Sequence, residues 1–506
     1  MTALARTLNV AHGSCNLRDL LRGLISDSLL LQVPDMVVTD LSLDSHHQIV
    51  GSVFLAVPGI KKHGVDYAVQ AVKNGARVVL WQPTQDRTVL DISSAACIAI
   101  PGLNQILGEL ADRFFMRPSS HLQIAAITGT NGKSTTAYVL ASAAQCCGIE
   151  AGYSGTVGYG RIPSLHPVTH TTADVVTLHR QLADMCAMNA GAVAMEVSSH
   201  ALDQNRIASV RIDTAVFTNL SRDHLDYHGT MEAYAAAKQR LFSVPGLRHR
   251  VLNVDDNFGR KLAALATTAS ITTLYGAGAA ISSSRYVHAS SIEVREDGMR
   301  LQLGGSFGMA TLHSNLLGRF NAENLMAALC VLLGWDVPIL QAVQALSQAS
   351  APPGRMELLK ANNKRVVVDY AHTPDALQKT LQVLKAHCRG RLICVFGCGG
   401  DRDSGKRALM GAVAATYADQ VVLTNDNPRN EDPAMIVAAI QAGMGAFPVI
   451  VQTDRALAIE HAIELAQPGD MVLIAGKGHE DYQIIGDQVL SFSDRAVAQS
   501  CLRGSI

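Results

Sequence analysis

Short apolar runs separated by stretches of helical composition dominate the pattern along the chain. Near the start, Val53–Val57 is a continuous apolar run ended by Pro58-Gly59, and Arg77–Trp81 is another. Both read as buried strands. Ile124–Ile127 is a third such run, and it enters a glycine-rich turn before about a dozen residues of helical composition. That order predicts a strand, loop, helix unit. Gly191–Glu196 and Thr214–Thr218 supply further strands. After the breaker cluster Ala351-Pro352-Pro353-Gly354 the alternation sharpens. Val366–Asp369, Leu392–Phe396, Gln420–Leu423, Val449–Gln452 and Met471–Ile474 are five strand candidates. Helical stretches of about 10–15 residues between most of them predict crossover helices and a largely parallel sheet.

The expected fold class is therefore α/β with three domains, as about 100–200 residues per domain suggests for this length. The divisions fall at 1–120, 121–351 and 352–506. The central one is a P-loop-type ATPase domain, and the C-terminal one is Rossmann-like with a mostly parallel sheet. In open α/β sheets ligands bind beyond the carboxyl ends of the strands. The segments Asp369–Pro374, Gly397–Arg402, Thr424–Arg429 and Gly476–Glu480 each follow a predicted strand, so they should meet in one site.

Composition narrows the field. The 506 residues carry a net charge of −1, with 48% hydrophobic and 5% aromatic residues. No basic footprint for nucleic acid appears. No run of about 18 apolar residues exists to span a membrane. The best early apolar stretch, Leu29-Leu30-Leu31, is too short for a secretory leader. The ten cysteines form no Cys-x-x-Cys pair, so they read as reduced thiols. A cytoplasmic, monomeric protein is expected, with small-molecule partners.

The sharpest chemical signal is Gly129-Thr130-Asn131-Gly132-Lys133-Ser134-Thr135. Glycines let backbone N–H groups turn toward phosphate oxygens, and the following helix offers its N-terminus to the same anion. Lys133 suits the terminal phosphates and Ser134 suits Mg²⁺. The turn is tighter than the common form, which has a glycine where Ile127 stands. Glu196 ends a strand and offers a hard oxygen ligand. By composition alone, Ala235-Ala236-Ala237-Lys238 is an ordinary helix with an exposed lysine.

The phosphate loop resembles that of Mur ligases and folylpolyglutamate synthases. The later motifs favour the Mur ligase family. They are Glu196–His200, Thr218–His228, Tyr234–Lys238, Asp369–Pro374, Gly397–Arg402 with Lys406-Arg407, Asp426–Arg429 and Gly476–Glu480. The resemblance implies ATP as co-substrate, two Mg²⁺ ions and an acyl-phosphate route to an amide. It implies metal ligation by Ser134, Glu196, His224 and Lys238, the last as a carbamate, with Lys133 beside them in catalysis. It adds Asn321, Arg355 and Asp369 as further ATP contacts, and it implies that domain closure assembles the site. Leu43, Ser45, Thr171, Thr172, Ser198, Gln204 and Arg206 match contacts to a UDP-muramoyl dipeptide. His46 stands where the family commonly has arginine. Arg402, Asp426, Asn427, Pro428, Arg429, Gly476 and Glu480 match contacts to meso-diaminopimelate. An arginine fork can grip the distal carboxylate that lysine lacks. Two alternatives stay open: a folylpolyglutamate synthase, which would not need Asp426–Arg429, and an ATP-driven switch without ligation.

Overall fold

The computed structural model describes residues 13–59, 62–265, 270–278 and 283–504. They fold as two compact units. The first runs to Lys133 and takes in Gly148–Arg250 and Ala264–Thr272; the second takes in Ser134–Cys147, Val251–Ala263 and the chain from Thr273 on.

In the first unit, Leu41–Ser42, Ser52–Ala56, Ala76–Trp81 and Ala96–Ala99 form a parallel sheet in that order. Val53, Leu55, Val78 and Leu80 alternate with Phe54, Val79 and Trp81, so opposite faces feed two separate apolar clusters. A second run of strands in this unit is ordered Ser164–His166, Gly158–Arg161, Ala151–Gly155, Ala192–Glu196, Gln123–Thr128, Thr214–Phe217. Its last four strands are parallel and the first two add antiparallel. Glu196 lies opposite Ile127, so the end of its strand sits beside the start of the phosphate loop. The expected strands at 124–127, 191–196 and 214–218 are all present within a residue or two of their read boundaries.

The second unit holds an antiparallel meander, Tyr286–Arg295, Gly298–Gly305 and Ala310–Ser314, that the sequence pattern did not suggest. Its larger sheet is ordered Glu357–Ala361, Lys364–Asp369, Met471–Ala475, Leu392–Phe396, Gln420–Leu423, Val449–Val451. All five expected strands are there and parallel, and Glu357–Ala361 joins as an antiparallel edge. Val367, Cys394, Phe396 and Leu473 face Leu377, Leu381, Leu384, Met410 and Ala414 from the helices Pro374–His387 and Gly405–Tyr417. Val366, Ile393, Val395 and Ile474 face Ala458, Ile459 and Ala462 of Arg455–Leu465, with Ala498 and Leu502 of Asp494–Arg503. Burial on both faces explains why these strands read as unbroken apolar runs. Among the described residues no helix is long and apolar enough to cross a membrane.

Candidate functional site

The phosphate loop is shaped from below by the turn after Thr214–Phe217. Thr130 N–H donates to the Asn219 carbonyl at 2.8 Å and Asn131 N–H donates to Asn219 Oδ1 at 2.9 Å. Thr218 Oγ1 donates to the Asn131 carbonyl at 2.6 Å. Gly129 permits this closeness, because a Cβ there would lie 1.9 Å from Thr218 Oγ1. Lys133 opens the helix Lys133–Cys146, with Ser134 and Thr135 in its first turn. Its Nζ donates to the carbonyls of Gly129 and Thr130, both at 2.9 Å.

Lys238 is the surprise of this region. It sits on the helix Met231–Gln239, started by the Thr230 hydroxyl, yet it is only 1% exposed. Its Nζ donates to the same Gly129 carbonyl at 2.8 Å and lies 4.5 Å from the centroid of the Tyr234 ring. Burial first, and the Lys133 cation second, push its pKa down to about 6. The Tyr234 hydroxyl is 3.1 Å from Thr130 Oγ1, tying this helix to the loop.

Glu196 is fully buried. Its carboxylate accepts from Tyr153 OH at 2.5 Å, and from Thr156 N and Oγ1 at 2.8 and 3.2 Å. His224 has a left-handed backbone, φ 52°, and its Nε2 is 3.6 Å from Asp223 Oδ2. His200 lies between the rings of His224 and His228, at centroid distances of 5.0 and 5.5 Å. Burial first, then the neighbouring imidazole of His224, lowers the His200 pKa. Among the described residues, no three His, Cys, Asp or Glu side chains converge as a metal-binding group.

Five of the expected sugar-peptide residues form a connected network in the first unit. Thr171 Oγ1 meets Thr156 Oγ1 at 3.1 Å, and Thr172 Oγ1 donates to the Glu196 carbonyl at 2.9 Å. Ser198 N–H returns to Thr172 Oγ1 at 3.1 Å, and its own hydroxyl starts the helix Ser199–Asp203. Arg206 donates to the Thr172 carbonyl and to Gln204 Oε1, both at 2.8 Å. Leu43 and Ser45 lie in a different loop, held by Asn74 Nδ2 donating to the Ser45 carbonyl at 2.8 Å. Arg180, for which the residue pattern offers no signal, anchors the strand before that loop. It donates to the Leu41 carbonyl and to Asp40 Oδ1, both at 2.6 Å.

In the second unit the four strand-end loops do meet. Gly476 N–H donates to the Asp369 carbonyl at 3.1 Å, and Gly400 N–H donates to the Asn427 carbonyl at 2.9 Å. Lys477 is fully buried and donates to Asn427 Oδ1 at 3.0 Å and Glu480 Oε2 at 3.3 Å, with Asp426 Oδ1 at 3.9 Å. Arg429 has φ 52°, a strained value for a residue with a side chain. A hairpin absent from the sequence reading, Tyr482–Ile485 with Gln488–Ser491, holds it there. Arg429 N–H donates to the Ile484 carbonyl at 3.1 Å, and Gly486 N–H donates to the Arg429 carbonyl at 2.8 Å. Arg429 Nη1 donates to the Gly400 carbonyl at 2.8 Å. The Pro428 carbonyl lies so close to Gly400 that a Cβ there would stand 1.9 Å from it. Arg402 is exposed.

Asp369 is buried, which raises its pKa, although its carboxylate accepts from Met356 N, Ala371 N and Thr380 Oγ1. The neighbouring Arg355 guanidinium lies 4.9 Å over the Tyr370 ring. Asn321 donates to the Leu317 carbonyl at 2.7 Å and accepts from Asn324 Nδ2 at 2.6 Å, while Asn324 Oδ1 accepts from Thr136 Oγ1 at 3.3 Å. Buried Arg407, paired with Glu431 at 2.9 Å, was quoted within a motif but given no role.

A parallel-sheet α/β fold, a glycine loop opening a helix beneath two lysines, and a cluster of strand-end loops define a nucleotide-using enzyme class. The Mur ligase family profiles narrow it: catalytic domain at residues 38–115, middle domain at 127–332, and the glutamate ligase domain at 354–478. The chain belongs to the Mur ligase family. Among curated relatives, the UDP-N-acetylmuramoyl-L-alanyl-D-glutamate–2,6-diaminopimelate ligase of Coxiella burnetii is 45% identical over 92% of this chain and 96% of its own length. The protein of the same name from Pseudomonas aeruginosa is also 45% identical, over 92% and 96%. A solved structure bearing that enzyme's name is 34% identical, with a TM-score of 0.70 over 97% of this chain and 99% of its own.

Proposed function

We propose that this protein is the ATP-dependent ligase that joins meso-2,6-diaminopimelate to UDP-N-acetylmuramoyl-L-alanyl-D-glutamate in the making of peptidoglycan precursors. The observation that carries the reading is 45% identity over 92% of the chain to relatives named for that reaction. The meeting of the loops that carry Lys477 and Arg429 supports it, because a folate-directed enzyme has no use for an arginine offered to a second amino-acid carboxylate.

In the proposed reaction a glutamyl carboxylate oxygen attacks the γ-phosphorus of ATP, and ADP departs. The diaminopimelate amine, having lost a proton, attacks the acyl carbon. Phosphate leaves with the electron pair and takes the nitrogen's second proton as hydrogen phosphate, and an amide remains. Lys133 and the loop Gly129–Thr135 hold the triphosphate. Asn321, Arg355 and Asp369 add nucleotide contacts. Thr171, Thr172, Ser198, Gln204 and Arg206 hold the sugar-peptide, and Leu43 and Ser45 its uridine end. Arg429 takes the distal carboxylate while Glu480 and Asp426 face the distal ammonium. Asn427, Pro428, Gly476 and Arg402 complete that pocket. Residues 1–120 bind the uridine end of the sugar nucleotide, 121–351 carry the phosphate loop with the sugar-peptide contacts, and 352–506 bind the amino acid and add Arg355 and Asp369 to the ATP site.

Glu196, His224 and a carbamylated Lys238 would hold Mg²⁺, which supplies charge neutralisation between phosphate and carboxylate. The environment of Lys238 fits that modification. With a pKa near 6 the amine is neutral at pH 7, and only a neutral amine adds to carbon dioxide. The nitrogen lone pair attacks carbon, and one proton leaves. The product sets an anion beside the Lys133 cation in place of a neutral amine. The testing experiment supplies ATP, Mg²⁺, the UDP-muramoyl dipeptide and a mixture of candidate amino acids, and identifies the product by mass. A diaminopimelate adduct is expected. A folate or lysine adduct, or ATP turnover without any amide, overturns the reading.

A further inference from the structure

Beneath the amine pocket lies a buried ion pair that no motif contains. Arg455, at the start of the helix Arg455–Leu465, and Asp494, at the start of Asp494–Arg503, are both fully buried. The pairing is bidentate. Arg455 Nε donates to Asp494 Oδ1 at 2.7 Å and Nη2 donates to Oδ2 at 2.8 Å. The same guanidinium then reaches two further carbonyls. Nη1 donates to Asn425 at 3.1 Å and Nη2 to Ala475 at 3.0 Å.

Those two carbonyls are special by position. Asn425 immediately precedes Asp426, and Ala475 immediately precedes Gly476. Their strands, Gln420–Leu423 and Met471–Ala475, flank Leu392–Phe396 on either side. One planar group therefore bridges the exits of two strands that are not neighbours. The spacing it sets is tight. A Cβ on Gly476 would stand 2.7 Å from Asp426 Oδ2 and 3.9 Å from Arg455 Nη2.

Stability alone is a poor account of such a pair. Desolvating two charges costs about as much as their attraction returns, and apolar replacements of similar volume are often neutral or better. What a rigid five-donor fork provides is geometry. Resting on the amine-site reading above, we infer that Arg455, oriented by Asp494, is a positioning residue for amine selection: it fixes the gap between Asn425–Arg429 and Gly476–Glu480.

The fold contains its own control. At the opposite ends of Leu392–Phe396 and Met471–Ala475, Arg391 forks onto Asp470, with Nε and Nη2 donating at 3.0 and 2.8 Å. That pair ties Met471–Ala475 to Leu392–Phe396 far from the loops. The experiment compares Arg455→Lys, Arg455→Met and Asp494→Asn with Arg391→Lys and Arg391→Met. It measures melting temperature, KM and kcat for diaminopimelate and for ATP, preference over lysine, and backbone hydrogen exchange.

The Arg455 and Asp494 variants should raise KM for diaminopimelate by roughly tenfold to a hundredfold, the scale of a misplacement of about 1 Å. Preference over lysine should fall with it, and KM for ATP should stay within about twofold. Lysine at 455, with one point charge in place of a fork, should recover only part of the loss. Exchange should quicken in 425–429 and 476–480. The Arg391 variants should lower the melting temperature without moving KM or preference. If Arg455→Met fails to fold, Arg455→Lys and Asp494→Asn carry the test. The inference falls if folded Arg455 variants keep the parent's KM and preference, or if Arg391 variants shift them equally. Wild-type enzyme that uses no diaminopimelate would instead overturn the functional reading. The exchange comparison still decides the inference in that case.

Discussion

Lys238 and Lys477 are both buried lysines, 1% and 0% exposed, and they have opposite surroundings. Lys477 faces Glu480, Asp426 and the Asn427 amide oxygen, so its charge is matched where it lies. Lys238 faces a carbonyl, an aromatic ring and a second lysine, and its pKa drops to about 6. Burial with a counter-charge makes a lysine a structural cation. Burial that outweighs the one acid acting on it, Asp223, makes it a neutral nucleophile, which is the state that carbamate chemistry needs.

The largest expected effect breaks the Lys238 side of that comparison. Lys238→Ala should lose turnover entirely, measured as ADP release, and added bicarbonate or acetate should restore a part by placing a carboxylate in the vacated space. Full activity in the alanine variant would end the carbamate reading. Next comes Arg429. Its removal in Arg429→Ala should erase a preference for diaminopimelate over lysine of roughly 10⁴-fold, because lysine no longer leaves a guanidinium without its carboxylate. Competing the two amines in one reaction reads this directly. An unchanged product ratio would place the selective contact elsewhere. Lys477→Met breaks the matched side. Leaving Asp426 and Glu480 without their buried cation should cost roughly 3–5 kcal/mol in denaturant unfolding. A loss below that range would show that water or neighbouring donors already serve the two acids.

The same contrast explains what the sequence made legible. Strand runs at 392–396 and 420–423 were readable because both sheet faces are buried, leaving no polar alternation to confuse them. The phosphate loop was readable because its first glycine, Gly129, is dictated by crowding against the Thr218 hydroxyl. Arg455 and Arg180 were not, because a charged residue at the start of or within a helix looks solvated until its tertiary partner is known. Lys238 shows the limit most plainly. Its local sequence describes an exposed helical lysine, and only Gly129, more than a hundred residues away, makes it otherwise. The hairpin Tyr482–Ser491 escaped because its exposed strands are short and carry no steady alternation.

A smaller effect concerns His387, which is buried and must be neutral to do what it does. Its Nε2 accepts from Gly318 N–H at 2.8 Å, and its Nδ1–H donates to the Arg295 carbonyl. Burial, the leading cause, depresses its pKa below 6.5. A depressed folded value means the unfolded chain takes up the proton first. The stabilising contribution is then complete above pH 6.5 and is lost as pH falls through the lower folded value. Protonation would orphan the Gly318 N–H, a loss of roughly 1–3 kcal/mol. Melting temperature should therefore drop more steeply below pH 6.5 in the parent than in His387→Gln. Parallel curves would remove His387 as the cause.

The smallest change separates two things that Tyr234 does for the unmatched lysine. Its ring forms a wall 4.5 Å from Lys238 Nζ, and its hydroxyl ties the helix to Thr130 of the phosphate loop. Tyr234→Phe keeps the wall and removes the tie. If the neutrality of Lys238 comes from burial, as the leading cause of its pKa shift says, the variant should keep its capacity for modification. It should lose only about 1 kcal/mol of stability, the net worth of one hydrogen bond. The intact mass of purified protein, which reports a carbamate after trapping, should match the parent. A loss of that mass increment in a stably folded Tyr234→Phe would mean that the hydroxyl, by fixing the helix against the loop, holds the amine where carbon dioxide can reach it.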